Sequence, residues 1–132
     1  MTTIQRLSST EAQAVLAADY SAVLIDVRDP VEFSFVGHPT DAINIPWKFA
    51  PEMRDNPDFL AQVNQRVPDP ATPILLLCRS GQRSLAAAKL LGEAGYTHLT
   101  NIEDGFEGPI DADKHRGTLG GWRFHGLPWV QS

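Results

Sequence analysis

The segment Ile74-Leu75-Leu76-Leu77-Cys78-Arg79-Ser80-Gly81-Gln82-Arg83-Ser84 joins an apolar run to the helical pattern Leu85-Ala86-Ala87-Ala88-Lys89-Leu90-Leu91. A short run with no polar alternation suits a strand buried on both faces, and such strands belong to parallel sheets covered by helices. A strand that ends on a polar, glycine-containing loop and enters a helix at once is the repeating unit of α/β folds. This loop carries the chain's single cysteine. A thiol at a strand's C-terminal end, beside two arginines and before a helix N-terminus, sits where backbone N–H groups and guanidinium charge both favour an anion. The same influences favour thiolate over thiol, and the thiolate is the nucleophile. Apolar packing alone does not call for guanidinium groups, a hydroxyl and a glycine crowded around a cysteine.

Outward from the loop, the alternation of elements continues. Ser8-Ser9-Thr10-Glu11 is a capping-box pattern opening a helix that carries Val15 and Leu16 and ends near Asp19. Ala22–Val27 is a buried strand broken by Asp29-Pro30, and a helical turn through Val31-Glu32-Phe33 ends at Gly37-His38-Pro39. Ala42-Ile43-Asn44-Ile45 is a short strand stopped by Pro46. Asn56-Pro57 reads as an N-cap with proline at the first helical position, followed by Phe59, Leu60, Val63 and Val67 at helical spacing. Pro68, Pro70 and Pro73 close that helix as a stiff connector. The helix after Cys78 ends near Gly95, a candidate for the left-handed position past its C-terminus. His98–Ile102 reads as the last strand, and residues 104–132, with six glycines, as a turn-rich tail. The expectation is an α/β domain spanning 1–132, with a mostly parallel central sheet flanked by helices, whose reactive groups gather at the C-terminal ends of the strands.

Composition narrows the function classes. At 132 residues the chain is long enough for one core, and a net charge of −5 gives no global attraction for nucleic acid or anionic membrane. No apolar stretch approaches a membrane span, and Met1-Thr2-Thr3-Ile4-Gln5-Arg6 lacks the hydrophobic core of a secretory signal, so the chain reads as cytoplasmic. A lone cysteine forms no internal disulfide; a resolving thiol must come from another molecule. His38, His98, His115 and His125 show no ligand-like spacing with each other or with Cys78, so neither a metal nor another cofactor is expected.

Asp26-Val27-Arg28-Asp29-Pro30-Val31-Glu32-Phe33, then Gly37-His38 with Ala42-Ile43-Asn44-Ile45-Pro46, then the Cys78 loop stand in the order and spacing of the rhodanese-like single-domain sulfurtransferases, which this chain resembles over most of its length. Gly121-Trp122-Arg123 and Gly126-Leu127-Pro128-Trp129 are similar to the C-terminal tail of many members. Two departures stand out: Pro39-Thr40-Asp41 replaces the usual turn sequence before Ala42, and residues 108–120 form a longer link than usual, placed to cover or gate the pocket. The resemblance implies that a Cys78 thiolate takes the outer sulfur of an anionic donor as a persulfide and passes it to cyanide or a thiol. It implies a donor-binding loop of Arg79, Ser80, Gly81, Gln82, Arg83 and Ser84, in which backbone N–H groups form a nest and Arg79 and Arg83 hold the donor's oxyanion end. Ser80 and Ser84 are candidate donors to the sulfur, although Ser84 reads first as the helix N-cap; Gly81 has a geometric role and Gln82 faces solvent.

Asp26 and Arg28 read as a structural pair, and Trp47, Phe106 and Trp122 as pocket walls or core. The loop's two cations point to thiosulfate or a similar anionic donor, with glutathione persulfide as an alternative and a sulfur-accepting protein as a possible partner. Two other classes use related architecture: cysteine-dependent phosphatases or arsenate reductases, and persulfide carrier or sensor modules. The phosphatase signature has one more residue between cysteine and arginine, which here would put arginine at position 84, where the chain has Ser84.

Overall fold

A computed structural model describes residues 3–132; Met1 and Thr2, which open the segment read for a secretory signal, lie outside them. The chain runs β1 (Ile4–Leu7), α1 (Ser9–Ala18), β2 (Val23–Asp26), a π-helical turn (Glu32–Val36), β3 (His38–Pro39), β4 (Ile43–Asn44), β5 (Lys48–Phe49), β6 (Arg54–Asp55), α2 (Phe59–Arg66), β7 (Ile74–Leu77), α3 (Gln82–Glu93), β8 (Leu99–Ile102) and β9 (Trp129–Val130). Five strands form one sheet in the order β1-β8-β7-β2-β4, and every neighbouring pair is parallel. The α/β reading with a parallel sheet and flanking helices is therefore correct.

Side-chain alternation along β7 divides the core into two layers. Ile74 and Leu76, with Cys78 continuing the same parity, pack with Val63 of α2 and Ala87, Ala88 and Leu91 of α3. Leu75 and Leu77 face the other way, onto Ala12 and Leu16 of α1 and onto Phe106 and Trp122. Because both faces are covered, the four residues of β7 are all buried and needed no polar positions.

The local signals act as their chemistry requires. Ser8 caps α1 reciprocally: its Oγ accepts from Glu11 N at 3.3 Å, and Glu11 Oε1 accepts from Ser8 N at 2.9 Å. Gly95 ends α3 with φ 107°, and the Tyr96 and Gly95 amides donate back to Leu91 O and Gly92 O at 3.1 and 3.2 Å. Other expectations need correction. Asn56 is not the cap of α2: its Oδ1 accepts from Asp58 N at 3.0 Å in a turn, and Asp58 is the cap position. His98–Ile102 is not the last strand, since β9 pairs antiparallel with β3 in the register His38↔Val130 and Pro39↔Trp129. The turn at Pro39-Thr40-Asp41 closes through Ala42 N to Pro39 O at 3.1 Å, and Thr40 N reaches Pro128 O at 3.1 Å, so the tail is bonded to the segment that departs from the family pattern. Among the described residues no helix is long and apolar enough to cross a membrane.

The pairing of β2 with β7, Asp26↔Leu77, brings Asp26 and Arg28 beside the Cys78 loop. Both side chains are fully buried. Arg28 Nε donates to Asp26 Oδ1 at 2.9 Å, and its Nη2 donates to Asp26 Oδ2 at 2.6 Å and to Gly37 O at 2.7 Å. The guanidinium lies over the Phe106 ring, 4.5 Å from its centroid, and Nη1 has no hydrogen-bond acceptor among the described residues. This is the structural pair the sequence suggested. A buried guanidinium is tolerable only while its counter-ion stays. Asp26→Asn should therefore lower stability to urea by about 3–5 kcal/mol, while Lys48→Gln, which breaks the exposed Lys48–Asp55 pair, should change it by no more than about 1 kcal/mol. Similar losses in the two variants would contradict the assignment.

Candidate active site

Cys78 is the first residue past β7, and its side chain points into the layer between sheet and α3. The residue is only 1 % exposed. Its Sγ accepts from the Gly81 backbone N–H at 3.1 Å and lies 3.3 Å from the Ser84 hydroxyl. The backbone N–H groups of Arg79, Ser80, Gln82, Arg83 and Ser84 find no acceptor among the described residues. A tight loop running into α3 thus offers several unsatisfied donors around one sulfur, the arrangement that favours negative charge there.

The loop is shaped from beneath by the turn after β8. Phe106 N donates to Cys78 O at 2.8 Å, and the Glu107 and Gly108 amides both donate to Arg79 O at 3.1 Å. Two glycines make this approach possible. Gly81, with φ 103°, would place a Cβ 2.4 Å from Glu103 O, and Gly105, with φ 66°, would place one 2.4 Å from Arg79 O. Neither position admits a side chain without moving backbone. The link 108–120 is bonded into the same frame: Gly117 N donates to Glu107 O at 2.9 Å, and Arg116 Nη1 to Gly108 O at 2.8 Å.

Ser84 is buried inside α3, and Gly81, with its left-handed backbone, is the N-cap. The reading of Ser84 first as the cap is corrected accordingly. Its Oγ lies near three acceptors, Cys78 Sγ, Gly81 O and Asn101 Oδ1. One hydroxyl proton serves one acceptor at a time, so Ser84 can turn to the sulfur as charge builds there. Asn101, fully buried at the end of β8, donates through Nδ2 to Gly81 O at 3.1 Å and to Glu103 Oε2 at 2.8 Å. Sequence reasoning missed Asn101. Its signal was a carboxamide side chain in a short buried strand, near the end where reactive groups collect.

The two loop arginines have different surroundings. Arg79 is exposed, and no described side chain pairs with it. Arg83 is partly buried and held in a fork by Glu32: Nη1 to Oε1 at 2.8 Å and Nη2 to Oε2 at 3.0 Å. Burial pushes the Glu32 carboxyl up, but the Arg83 hydrogen bonds and charge, helped by Arg28 and Arg79, outweigh it and hold the group below its ordinary value. Burial likewise works against the Arg83 cation, and Glu32 reverses that, so its pKa is raised. Glu32 was quoted within a motif but given no role, because its partner lies 51 residues away. Gln82 is exposed and Ser80 half-buried. Phe106 and Trp122 are core residues, and Trp47 meets Phe59 edge-on at 5.0 Å. A cleft of about 420 Å³ between α1 and Pro39–Ile43 is lined by Leu16, Tyr20 and Trp122, and Cys78 is not part of its lining.

Comparison with known proteins places this geometry. A family model described as the rhodanese-like domain matches residues 8–110. A protein of M. tuberculosis with a solved crystal structure is 38% identical, with all of both chains covered and a TM-score of 0.89. An uncharacterized protein of Rickettsia conorii is 37% identical over 131 residues, 96% of this chain and 97% of its own. A chloroplastic protein of Arabidopsis thaliana, thiosulfate sulfurtransferase 16, is 39% identical over 102 residues, 76% of this chain and 82% of its own.

The Glu32–Arg83 pair gives stability a defined pH dependence. A carboxyl whose folded pKa lies below its ordinary 4.5 adds stability above that value and loses it as pH falls through the folded pKa. Wild type should therefore unfold at a higher temperature than Glu32→Gln at neutral pH, by an amount worth about 1 kcal/mol or less for a partly exposed pair. The gap should close in acid. A gap that persists unchanged in acid would mean that packing, not charge, supplies it.

Proposed function

The chain belongs to the rhodanese-like domain family, and from that premise we propose that it is a sulfurtransferase moving a sulfane sulfur from thiosulfate or a similar anionic donor through a Cys78 persulfide to a thiol or cyanide. The observation that carries this reading is the Cys78 sulfur itself, which takes a hydrogen bond from Gly81 N–H within a loop of unpaired backbone donors. The Cys78 thiolate attacks the donor's outer sulfur. The new Sγ–S bond forms as the donor's S–S bond breaks, and sulfite leaves with the electron pair. The persulfide's terminal sulfur then bears the charge that the thiolate had. Loop amides and the Ser84 hydroxyl serve both states, so the intermediate is stabilised without rearranging the frame. Attack by cyanide or a thiolate on that terminal sulfur releases thiocyanate or a new persulfide and restores Cys78.

Arg79 is the guanidinium placed to take the donor's oxyanion end, since it is exposed and free of a carboxylate. Gly81 and Gly105 let the loop close; Arg83, Ser80 and Gln82 complete its rim. Position 84, where a phosphatase-type loop would need arginine, holds a buried serine in contact with the sulfur. A cradle of this size suits one sulfur atom better than a phosphate group.

The test is thiocyanate formation from thiosulfate and cyanide by wild type, Cys78→Ser and Arg79→Ala. Wild type should turn over and Cys78→Ser should not. Arg79→Ala should lose roughly tenfold in kcat/KM, the scale of a charge-assisted hydrogen bond. Turnover that survives Cys78→Ser would sink the persulfide route, and hydrolysis of an aryl phosphate by wild type would favour phosphatase chemistry instead.

A further inference from the structure

The cradle contains two guanidinium groups but not two free positive charges. Arg83 is bound by both Glu32 carboxylate oxygens, at 2.8 and 3.0 Å, with the two side chains only 16% and 23% exposed. Both partners stay ionised at neutral pH, because each shifts the other toward its charged form. The neighbouring Asp26–Arg28 pair is also internally neutral. That leaves Arg79, which lies near enough to add to the field on Glu32, as the loop's unpaired cation.

We propose that Glu32 is a specificity-determining residue of the sulfur-donor site: by cancelling the charge of Arg83 it narrows the advantage that a dianion such as thiosulfate has over donors carrying one negative charge, such as organic persulfide or thiosulfonate anions. The inference rests on the sulfurtransferase reading. Its physical basis is simple electrostatics. A donor entering beside the pair meets Arg83 attraction and Glu32 repulsion together, so a second negative charge on the donor gains little from Arg83. The fork also occupies one N–H on each terminal nitrogen of Arg83, leaving fewer donors for oxyanion contacts. Stability does not explain the arrangement, since partly exposed ion pairs contribute little. Glu32 comes from the π-helical turn after β2, a different element from the loop, and so sets the loop's charge without altering its backbone.

Thiosulfate and methanethiosulfonate separate charge from chemistry. Both present an outer sulfur on a sulfonyl sulfur, and both deliver it to a thiolate, leaving sulfite or methanesulfinate with the electron pair. The first is a dianion and the second a monoanion. We would measure kcat/KM for each, with cyanide as acceptor, in wild type, Glu32→Gln and Arg83→Gln. In Glu32→Gln the thiosulfate-to-methanethiosulfonate ratio should rise roughly 3- to 10-fold, the effect of uncovering one unit charge in a partly buried site. In Arg83→Gln, which leaves Glu32 an unpaired carboxylate, the ratio should fall by a similar factor. Both changes should appear mainly in KM. Loosening of the loop would slow both donors together and cannot move the ratio in opposite directions. A ratio unchanged in both variants, or shifted the same way in both, overturns the role of Glu32 while leaving sulfur transfer standing. Wild-type protein that transfers sulfur from neither donor overturns both. Should Glu32→Gln not fold, the Arg83→Gln ratio decides alone, and an unchanged value overturns the inference.

Discussion

The Cys78 loop keeps its shape because two carbonyls at its start, those of Cys78 and Arg79, are bonded by the amides of Phe106, Glu107 and Gly108. A loop that turns its N–H groups inward must turn carbonyls outward, and each buried carbonyl needs a donor. The turn after β8 supplies three. Gly81 and Gly105 are the positions where the two backbones come too close for a Cβ. Asn101 adds a further brace by donating to Gly81 O while its own carbonyl oxygen faces Ser84. The Cys78 sulfur is therefore positioned mainly by main-chain hydrogen bonds between its loop and a neighbouring segment, with the Ser84 hydroxyl of the loop beside it.

Apart from Arg79, the charges nearest the sulfur are arranged in pairs. Asp26–Arg28 is fully buried beneath the loop, where an unpaired ion would cost several kcal/mol, and Arg28 also ties the Gly37 carbonyl and covers Phe106. Glu32–Arg83 lies nearer the surface and contributes less to stability, but it stands beside the Cys78 loop. The π-helical turn carrying Glu32 is itself held at the adjoining residue, where His38 Nδ1 meets Phe33 O at 2.8 Å and the Phe33 and His38 rings stack at 3.7 Å. The tail reaches the same turn, with Gln131 Nε2 donating to Phe35 O at 2.8 Å. The placement of one carboxylate thus depends on the neighbouring His38 and on two distant parts of the chain, Arg83 and the tail at Gln131.

What could be read from the sequence follows from how local each determinant is. Ser8, Gly95 and the apolar run of β7 carry their information within a few residues, and the elements they mark appear as expected. The strand β1 was missed because Ile4-Gln5-Arg6-Leu7 has a buried-looking residue only at each end, and its strand character comes from pairing with β8. Trp129-Val130 was read as tail because nothing local distinguishes it; its partner, His38-Pro39, is about ninety residues away. The candidate loop residues 78–84 can be read together because they are contiguous. Glu32, in the π-helical turn after β2, and Asn101, near the end of β8, meet that loop from distant parts of the sequence and become visible only when the fold brings them beside it. Ser84 was misassigned as a cap for a related reason: the helix starts one turn earlier than the polar residues suggest, with glycine at its cap position.

The central claim is that the Cys78 sulfur accepts and holds a second sulfur. Intact-mass measurement of the protein after incubation with thiosulfate addresses it without reference to any acceptor. The account predicts a single added sulfur on wild type, lost on treatment with cyanide and never formed on Cys78→Ser. An unmodified wild-type mass, or an adduct that persists in Cys78→Ser, would contradict it.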